Sequence, residues 1–479
     1  MWFLRQFKDR FVRWQYARMA HSFSTMDPEK IIAIGKRNLL RTFYRAAEKV
    51  PGYRKLLSER GVDPRGITTM DEFKDNVPFI DKETVFPANK LRDICVGGNL
   101  DGICSFYSSS GHSGVFSFGV ETWDNTSSSA LGLEFLLDNH FHIFRRKTLL
   151  INCLPMGVKV YTRMLPVADT SVRADVIHAL IKKLSADFDQ FILVGESPFL
   201  KKVIEEGAEN GISWHDIIVN VITGGEFIAE NFRTYLAHLL GIDFEDPESG
   251  MIAVNMGMSE LSLSIFSENF QTIQLRRMAH KNHKFRQALF GDAAKLCPLI
   301  MQYFPQQTYI ETIPDQKGSP ELVVSTIGKN LKIPLIRYKT CDMVRTLSYT
   351  EMKNILKDLG YESLLPEFHL PFGIIWGKKL SVDLGNRERI SPNEVKEALY
   401  QDFDIAGRIT GNFRLSKDNG SATVLVQLRN GFEILPDMAE TLSDYLKNYI
   451  KAEIQITFLP YNQFPYGMEH NYEKKNQYI

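Results

Sequence analysis

The sequence predicts an α/β protein with more than one domain. A large N-terminal part should carry mixed or parallel sheets with helices, and a small C-terminal part should be α+β. Three observations point there. The chain has 479 residues, more than one hydrophobic core usually fills. Between Thr148 and Ile222, short runs rich in Val, Ile and Leu alternate with helical stretches, as buried parallel strands and their crossover helices do. After Pro366–Gly373 the pattern becomes a shorter mixture of helix and strand. The expected division is 1–372 and 373–479, with a helical segment over 1–50.

In chain order, residues 1–20 are basic and aromatic. Phe3, Phe7, Phe11 and Trp14 recur at helical spacing among Arg5, Lys8, Arg10 and Arg13. Such a stripe reads first as a helix packed on its own domain, and second as an interfacial or docking helix. Asp27-Pro28 has the form of an N-cap followed by proline in the first turn. Leu40, Phe43, Ala47 and Val50 then mark an amphipathic helix ending near Pro51-Gly52. Thr69 and Glu72 have capping-box spacing. Leu149–Leu154, Phe191–Val194 and Ile217–Ile222 are strand candidates, with helices near Asp175–Leu184 and Pro198–Glu206 between them. Thr223-Gly224-Gly225-Glu226 follows one strand, at the carboxyl end where ligands sit in such sheets.

The segment Asn269–Leu296 is crowded with Lys, Arg and His and reads as an elaborated basic loop. His280, His283 and Cys297 are close enough in sequence to raise a metal site, but a full four-ligand spacing is missing, so a solvated loop is the favoured reading. In the small part, Ser391-Pro392 should start a helix carrying Val395 and Leu399. Thr423–Leu428 and Glu453–Leu459 are strand candidates, and Asp437–Ile450 a helix.

Composition narrows the function classes. Hydrophobic content of 44% and charged content of 24% are those of a folded globular protein. A formal net charge of zero argues against a nucleic-acid binder, which needs cations to neutralise phosphates. The five cysteines are scattered without a C-x-x-C pair, which fits a reducing, cytoplasmic setting. No apolar run approaches the roughly 18 residues that a membrane span needs, and charges interrupt the N-terminal aromatics, so neither a transmembrane segment nor a secretory leader is expected.

Four segments could carry chemistry. Tyr107-Ser108-Ser109-Ser110-Gly111-His112-Ser113-Gly114 offers small residues whose amides and hydroxyls can surround an anion such as the phosphates of ATP. Asn255-Met256-Gly257-Met258-Ser259-Glu260 displays a carboxylate beside a glycine turn, suited to Mg²⁺. Arg337-Tyr338-Lys339-Thr340-Cys341-Asp342 offers a carboxylate able to accept both hydroxyls of a ribose. The tail Glu473-Lys474-Lys475-Asn476-Gln477-Tyr478 offers a terminal lysine. The nucleophile elbow, the Walker loop and the dinucleotide fingerprint are all missing.

Taken together and in order, these segments resemble the phenylacetate–CoA ligase-like branch of the adenylate-forming superfamily of acyl-CoA synthetases and luciferases. The likeness also includes Val50-Pro51-Gly52-Tyr53-Arg54, Gly61-Val62-Asp63-Pro64, Val77-Pro78-Phe79-Ile80-Asp81-Lys82-Glu83, Pro334-Leu335-Ile336 and Ile390-Ser391-Pro392-Asn393-Glu394-Val395. It implies a ligase that uses ATP to activate an aryl or acyl carboxylic acid and then passes the acyl group to a thiol of CoA, an acyl carrier protein or a protein cysteine. It implies that Ser109, Ser110, Gly111, Ser113 and Gly114 wrap the triphosphate. Gly224, Gly225 and Glu226 would border the adenine and acyl pockets, Met256 would lie on the purine, and Glu260 would assist Mg²⁺. Asp342 would hold the ribose, Lys378 would sit at the nucleotide beside the hinge, and Lys475, or Lys474 next to it, would bridge the acid and the α-phosphate.

The sequence departs from the family pattern at several places. Val115 stands where the phosphate loop has a lysine, and Met256 where an aromatic is usual. Cys341 replaces the glycine of the ribose motif. Gly377-Lys378-Lys379-Leu380-Ser381 lacks the acidic pair of the hinge, and Arg387 replaces a glycine. These departures support a second reading, a degenerate nucleotide- or acyl-binding scaffold of the same fold.

Overall fold

The computed structural model describes residues 2–108, 116–155, 158–291, 296–315, 318–378, 380–385, 388–418, 421–465, 472 and 478–479. Among them, one 11-stranded sheet organises the large part. Its parallel half runs Val167–Asp169, Thr148–Asn152, Gln190–Glu196, Ile218–Gly224, Ile252–Met258. It continues antiparallel through Ser262–Ser267, Leu299–Gln302, Phe372–Lys378, Tyr338–Leu347, Pro320–Thr326 and Thr308–Pro314. The strand Thr148–Asn152 is buried throughout, as a strand covered on both faces must be. Helices Ala174–Leu184 and Ser197–Glu209 are the expected crossovers.

Phe372–Lys378 belongs to the large sheet, and the backbone changes sheets only after Lys378. The following residues form the helices Pro392–Leu399, Phe403–Arg408 and Met438–Leu446, and a three-stranded sheet. In that sheet Ile409–Asp418 pairs antiparallel with Ser421–Leu428, which pairs parallel with Ile454–Leu459. A single apolar cluster runs from Phe191 and Val221 of the large sheet to Val395, Leu399, Phe413 and Val424 of the small part.

The caps form where local chemistry dictates. Asp27 accepts from the amides of Glu29 and Lys30 and starts the helix Pro28–Lys49. Thr69 and Glu72 close a capping box on Met70–Asn76, as Ser391 and Glu394 do on Pro392–Leu399. The helix Pro28–Lys49 ends as expected just before Pro51, which then opens a second helix, Pro51–Glu59. Proline suits that position because an N1 amide has no intrahelical partner to lose.

The segment expected to be a basic loop is two helices, Phe270–Lys281 and His283–Phe290, capped by Asn269 and Asn282. Three of its basic residues face acidic partners inside the fold. Arg276 is fully buried and pairs with Glu230 at 3.0 Å, Arg277 pairs with the same carboxylate at 3.2 Å, and His280 lies 3.7 Å from Glu397. The N-terminal stripe also differs. In the helix Trp2–Thr25 the packed residues are Val12 and Tyr16 with Met19 and Phe23, while Phe11 and Trp14 are 55% and 54% exposed. The buried face is set by Tyr16, whose hydroxyl donates to the buried Glu134 at 2.9 Å.

Candidate active site

The serine-rich segment connects the two strands of a hairpin, Ile103–Ser108 and Phe118–Thr122. Ser109, Ser110, Gly111, Ser113 and Gly114 themselves lie outside the described residues, as do Lys474 and Lys475. The base of the hairpin is fixed. Gly119 packs so tightly on the carbonyl of Ser259 that no Cβ fits between them, which sets the strand Phe118–Thr122 against the Gly257-Met258-Ser259-Glu260 turn.

Glu260 in that turn is half-buried. The hydroxyl of Tyr338 donates to its Oε1 at 2.9 Å and the hydroxyl of Ser259 to its Oε2 at 3.0 Å. Burial, and then the neighbouring Glu260, raises the phenol pKa of Tyr338, so the phenol remains a donor. Tyr338 begins the strand that carries Asp342, and this brings the second and third segments together. The Ile80 region joins them by two backbone bonds, Ile80 N–H to the Arg337 carbonyl at 3.1 Å and Lys339 N–H to the Ile80 carbonyl at 2.8 Å. Arg337 itself is structural. Its guanidinium binds Glu311 and the carbonyls of Lys74 and Val77 and covers the Phe79 ring at 4.0 Å.

Asp342 is buried and stands opposite Lys378 in the sheet register. Cys341 before it has φ +62°. That left-handed conformation favours glycine, the residue that the sequence resemblance leads one to expect at this position. One step further along the Phe372–Lys378 strand, a Cβ on Gly377 would touch Phe227 at 3.8 Å. Phe227 ends the Gly224-Gly225-Glu226 turn. In that turn, a Cβ on Gly224 would come 2.5 Å from the Asn255 carbonyl, and Gly225 has φ +85°. Asn255 and Met256 belong to the strand leading to Glu260. The segments therefore close into a circuit in which each touches the next.

The carboxylate of Glu226 faces the small part. Lys396 Nζ lies 2.6 Å from its Oε2, and the Tyr478 hydroxyl donates to the same oxygen at 3.0 Å. The Tyr478 ring stacks on Phe413 at 4.5 Å and lies under Lys396 at 4.2 Å. Glu397, next to Lys396, accepts from the first amides of the helix Glu230–Leu240 at 2.8 and 3.0 Å. Lys201 extends the junction, donating to Glu205 at 2.5 Å and to the Ile409 carbonyl at 2.6 Å. Tyr338 lay inside a segment already singled out. Tyr478 also lay inside a segment already singled out, there for its lysines, whereas Lys396 gave no local signal because its partner Glu226 is far away in sequence.

No protein-family model matches the sequence, and no curated protein matches it. Solved structures do. The chain is similar to a 2-hydroxyisobutyryl-CoA ligase in the postadenylation state in complex with 2-HIB-AMP, with TM-score 0.66, 13% identity, 95% of this chain covered and 90% of that one. Against the same ligase in complex with 2-HIB-AMP and CoA in the thioesterification state, the TM-score is 0.53 at 13% identity, with 94% and 90% covered. An acyl acid amido synthetase is similar with TM-score 0.54 and 12% identity, over 93% of this chain and 89% of that one. The chain has the fold of the adenylate-forming enzymes, a large mixed-sheet part joined to a small α+β part.

Proposed function

We propose that this chain uses ATP to activate an aryl or acyl carboxylic acid as its acyl-adenylate and then passes the acyl group to a thiol. The observation that carries the reading is the circuit of contacts joining the serine-rich hairpin, the Glu260 turn, the Asp342 strand and the Gly224-Gly225-Glu226 turn. One carboxylate oxygen attacks the α-phosphorus of ATP, the bond to the bridging oxygen breaks, and pyrophosphate leaves. The acceptor thiolate then attacks the acyl carbon and AMP leaves. The first step brings two anions together, so catalysis is positioning and charge neutralisation.

In this reading Ser109, Ser110, Gly111, Ser113 and Gly114 surround the phosphates. Asp342 holds the ribose, Met256 lies on the purine, and Lys378 flanks the nucleotide. Glu260 suits Mg²⁺, because each oxygen takes one hydroxyl donor and keeps lone pairs for an oxygen-preferring cation. The ion would neutralise phosphate charge. Lys475 would supply the cation between acid and α-phosphate. Tyr478, three residues beyond it, is tied to Glu226, and three residues of chain span at most roughly 11 Å. The acid is a small molecule, and CoA or an acyl carrier protein is the acceptor, in the cytoplasm. The higher TM-score to a postadenylation state than to a thioesterification state supports an adenylation-side arrangement of the two parts.

The test is ATP–pyrophosphate exchange over a panel of carboxylic acids. Acid-dependent exchange, abolished by Lys475→Ala, is the expected result. Exchange unchanged in that variant moves the role to Lys474 or removes it from both. A second reading, binding of nucleotide and acid without turnover, is favoured by the apolar cluster that runs unbroken between the two parts and by Lys379 and Leu380 at the hinge. Its signature is ATP binding with no exchange for any acid.

A further inference from the structure

The helix Trp2–Thr25 uses one face to pack on the protein and leaves another bare. Val12 and Tyr16 are buried, with Met19 and Phe23 packed beside them. On the opposite side Phe11 and Trp14 stack on each other at 5.9 Å and stay more than half exposed. Large aromatics in a contiguous row on a helix are costly to leave in water and mark a surface that meets something else.

The charge says what that is. Over residues 2–25 the sequence has Arg5, Lys8, Arg10, Arg13 and Arg18 against a single carboxylate, Asp9. Arg10 and Arg18 are exposed, and Arg18 lies over the Trp14 ring at 5.5 Å. A groove of about 330 Å³ runs beside the stripe, lined by Trp14, Gln15, Arg18, Met19, Ser22 and Leu131. The chain as a whole is neutral, so this basic excess is local. Aromatic rings flanked by arginines match the chemistry of a membrane interface, where rings sit at headgroup depth and cations meet lipid phosphates. Among the described residues, no helix is long and apolar enough to cross a membrane.

We propose that the outer face of the Trp2–Thr25 helix, through Phe11, Trp14, Arg10 and Arg18, docks this protein onto an anionic lipid surface. The helix lies in the plane of the interface and does not enter the core. The docking inference is independent of the proposed adenylation.

The experiment is co-sedimentation of the full chain with large vesicles of phosphatidylcholine alone and of phosphatidylcholine mixed with phosphatidylglycerol, at low and high salt. The expected result is binding to the anionic vesicles only, weakened by salt. The pair F11E/W14E and the pair R10E/R18E should each reduce binding at least tenfold. These side chains are exposed, so thermal melting should not move, which separates lost docking from lost folding. Absence of binding to either vesicle would overturn the proposal, as would equal binding to neutral vesicles or unchanged binding by both variant pairs. Sedimentation velocity without lipid reads the alternative: a dimer dissolved by F11E/W14E would make this face an interface between copies of the chain, and would likewise overturn it.

Discussion

Lys396 of the small part and Glu226 of the large part form an ion pair at 2.6 Å, with the Tyr478 hydroxyl on the same carboxylate oxygen. The pair is mostly shielded, with side-chain exposures of 10% and 23%, so neither charge would rest easily alone. Lys396→Met should leave Glu226 without its cation and weaken the junction by about 2 kcal/mol. Hydrogen exchange checks it: amides of the Pro392–Leu399 helix should exchange faster, while those of the central Gln190–Glu196 strand should not. A double-mutant cycle with Glu226→Gln should return most of the loss as coupling.

Gly119 has no room for a side-chain atom against the Ser259 carbonyl. Gly119→Ala should therefore push the hairpin away from the Glu260 turn, at a cost of about 1–3 kcal/mol for overpacking. If that contact positions the phosphate loop, ATP affinity should fall more than thermal stability does. Melting and nucleotide titration on the same sample compare the two.

Cys341 sits at φ +62° and is exposed. Cys341→Gly should relieve the left-handed strain, worth about 1 kcal/mol before the greater freedom of glycine in the unfolded chain is subtracted. Denaturant unfolding should show a small gain in stability. A loss would mean that the thiol makes a contact worth more than the strain.

Glu230 is buried, and burial alone would raise its pKa. Arg233, Arg276 and Arg277 outweigh that and hold it down, from 4.5 to about 2. Below 4.5 the unfolded chain takes up a proton here that the folded chain refuses. The stabilisation is thus present above that pH and is lost as pH falls toward 2. Glu230→Gln should cost about 3–5 kcal/mol at neutral pH, since it strands buried arginines, and should flatten acid unfolding between those two values. Melts across the acid range read both effects.

Legibility in the sequence followed the range of the interaction. Asp27, the Thr69–Glu72 pair and the Ser391–Glu394 pair announced helix starts because a cap is made with residues two or three positions away. The Val- and Ile-rich runs announced the parallel strands, since burial on both faces favours apolar residues along the strand centre. The stretch after Asn269 misled because Arg276 and Arg277 are spent on Glu230, a partner in another helix. At the candidate site, Gly224, Gly225, Glu260 and Asp342 were visible as short segments. What they touch was not, because Gly119 on Ser259, Tyr338 on Glu260 and Tyr478 on Glu226 are contacts between distant stretches of chain. The aromatic stripe was visible as a helix, but its buried side depended on Glu134 waiting for Tyr16.

The central claim is that these distant segments form one site for an adenine nucleotide. Calorimetric titration of the full chain with ATP and magnesium tests it most directly. Saturable binding at one site, weakened about tenfold or more by Asp342→Asn through loss of charge-assisted bonds to the ribose, is the predicted result. No heat of binding in the wild-type protein, or binding untouched by that substitution, would contradict it.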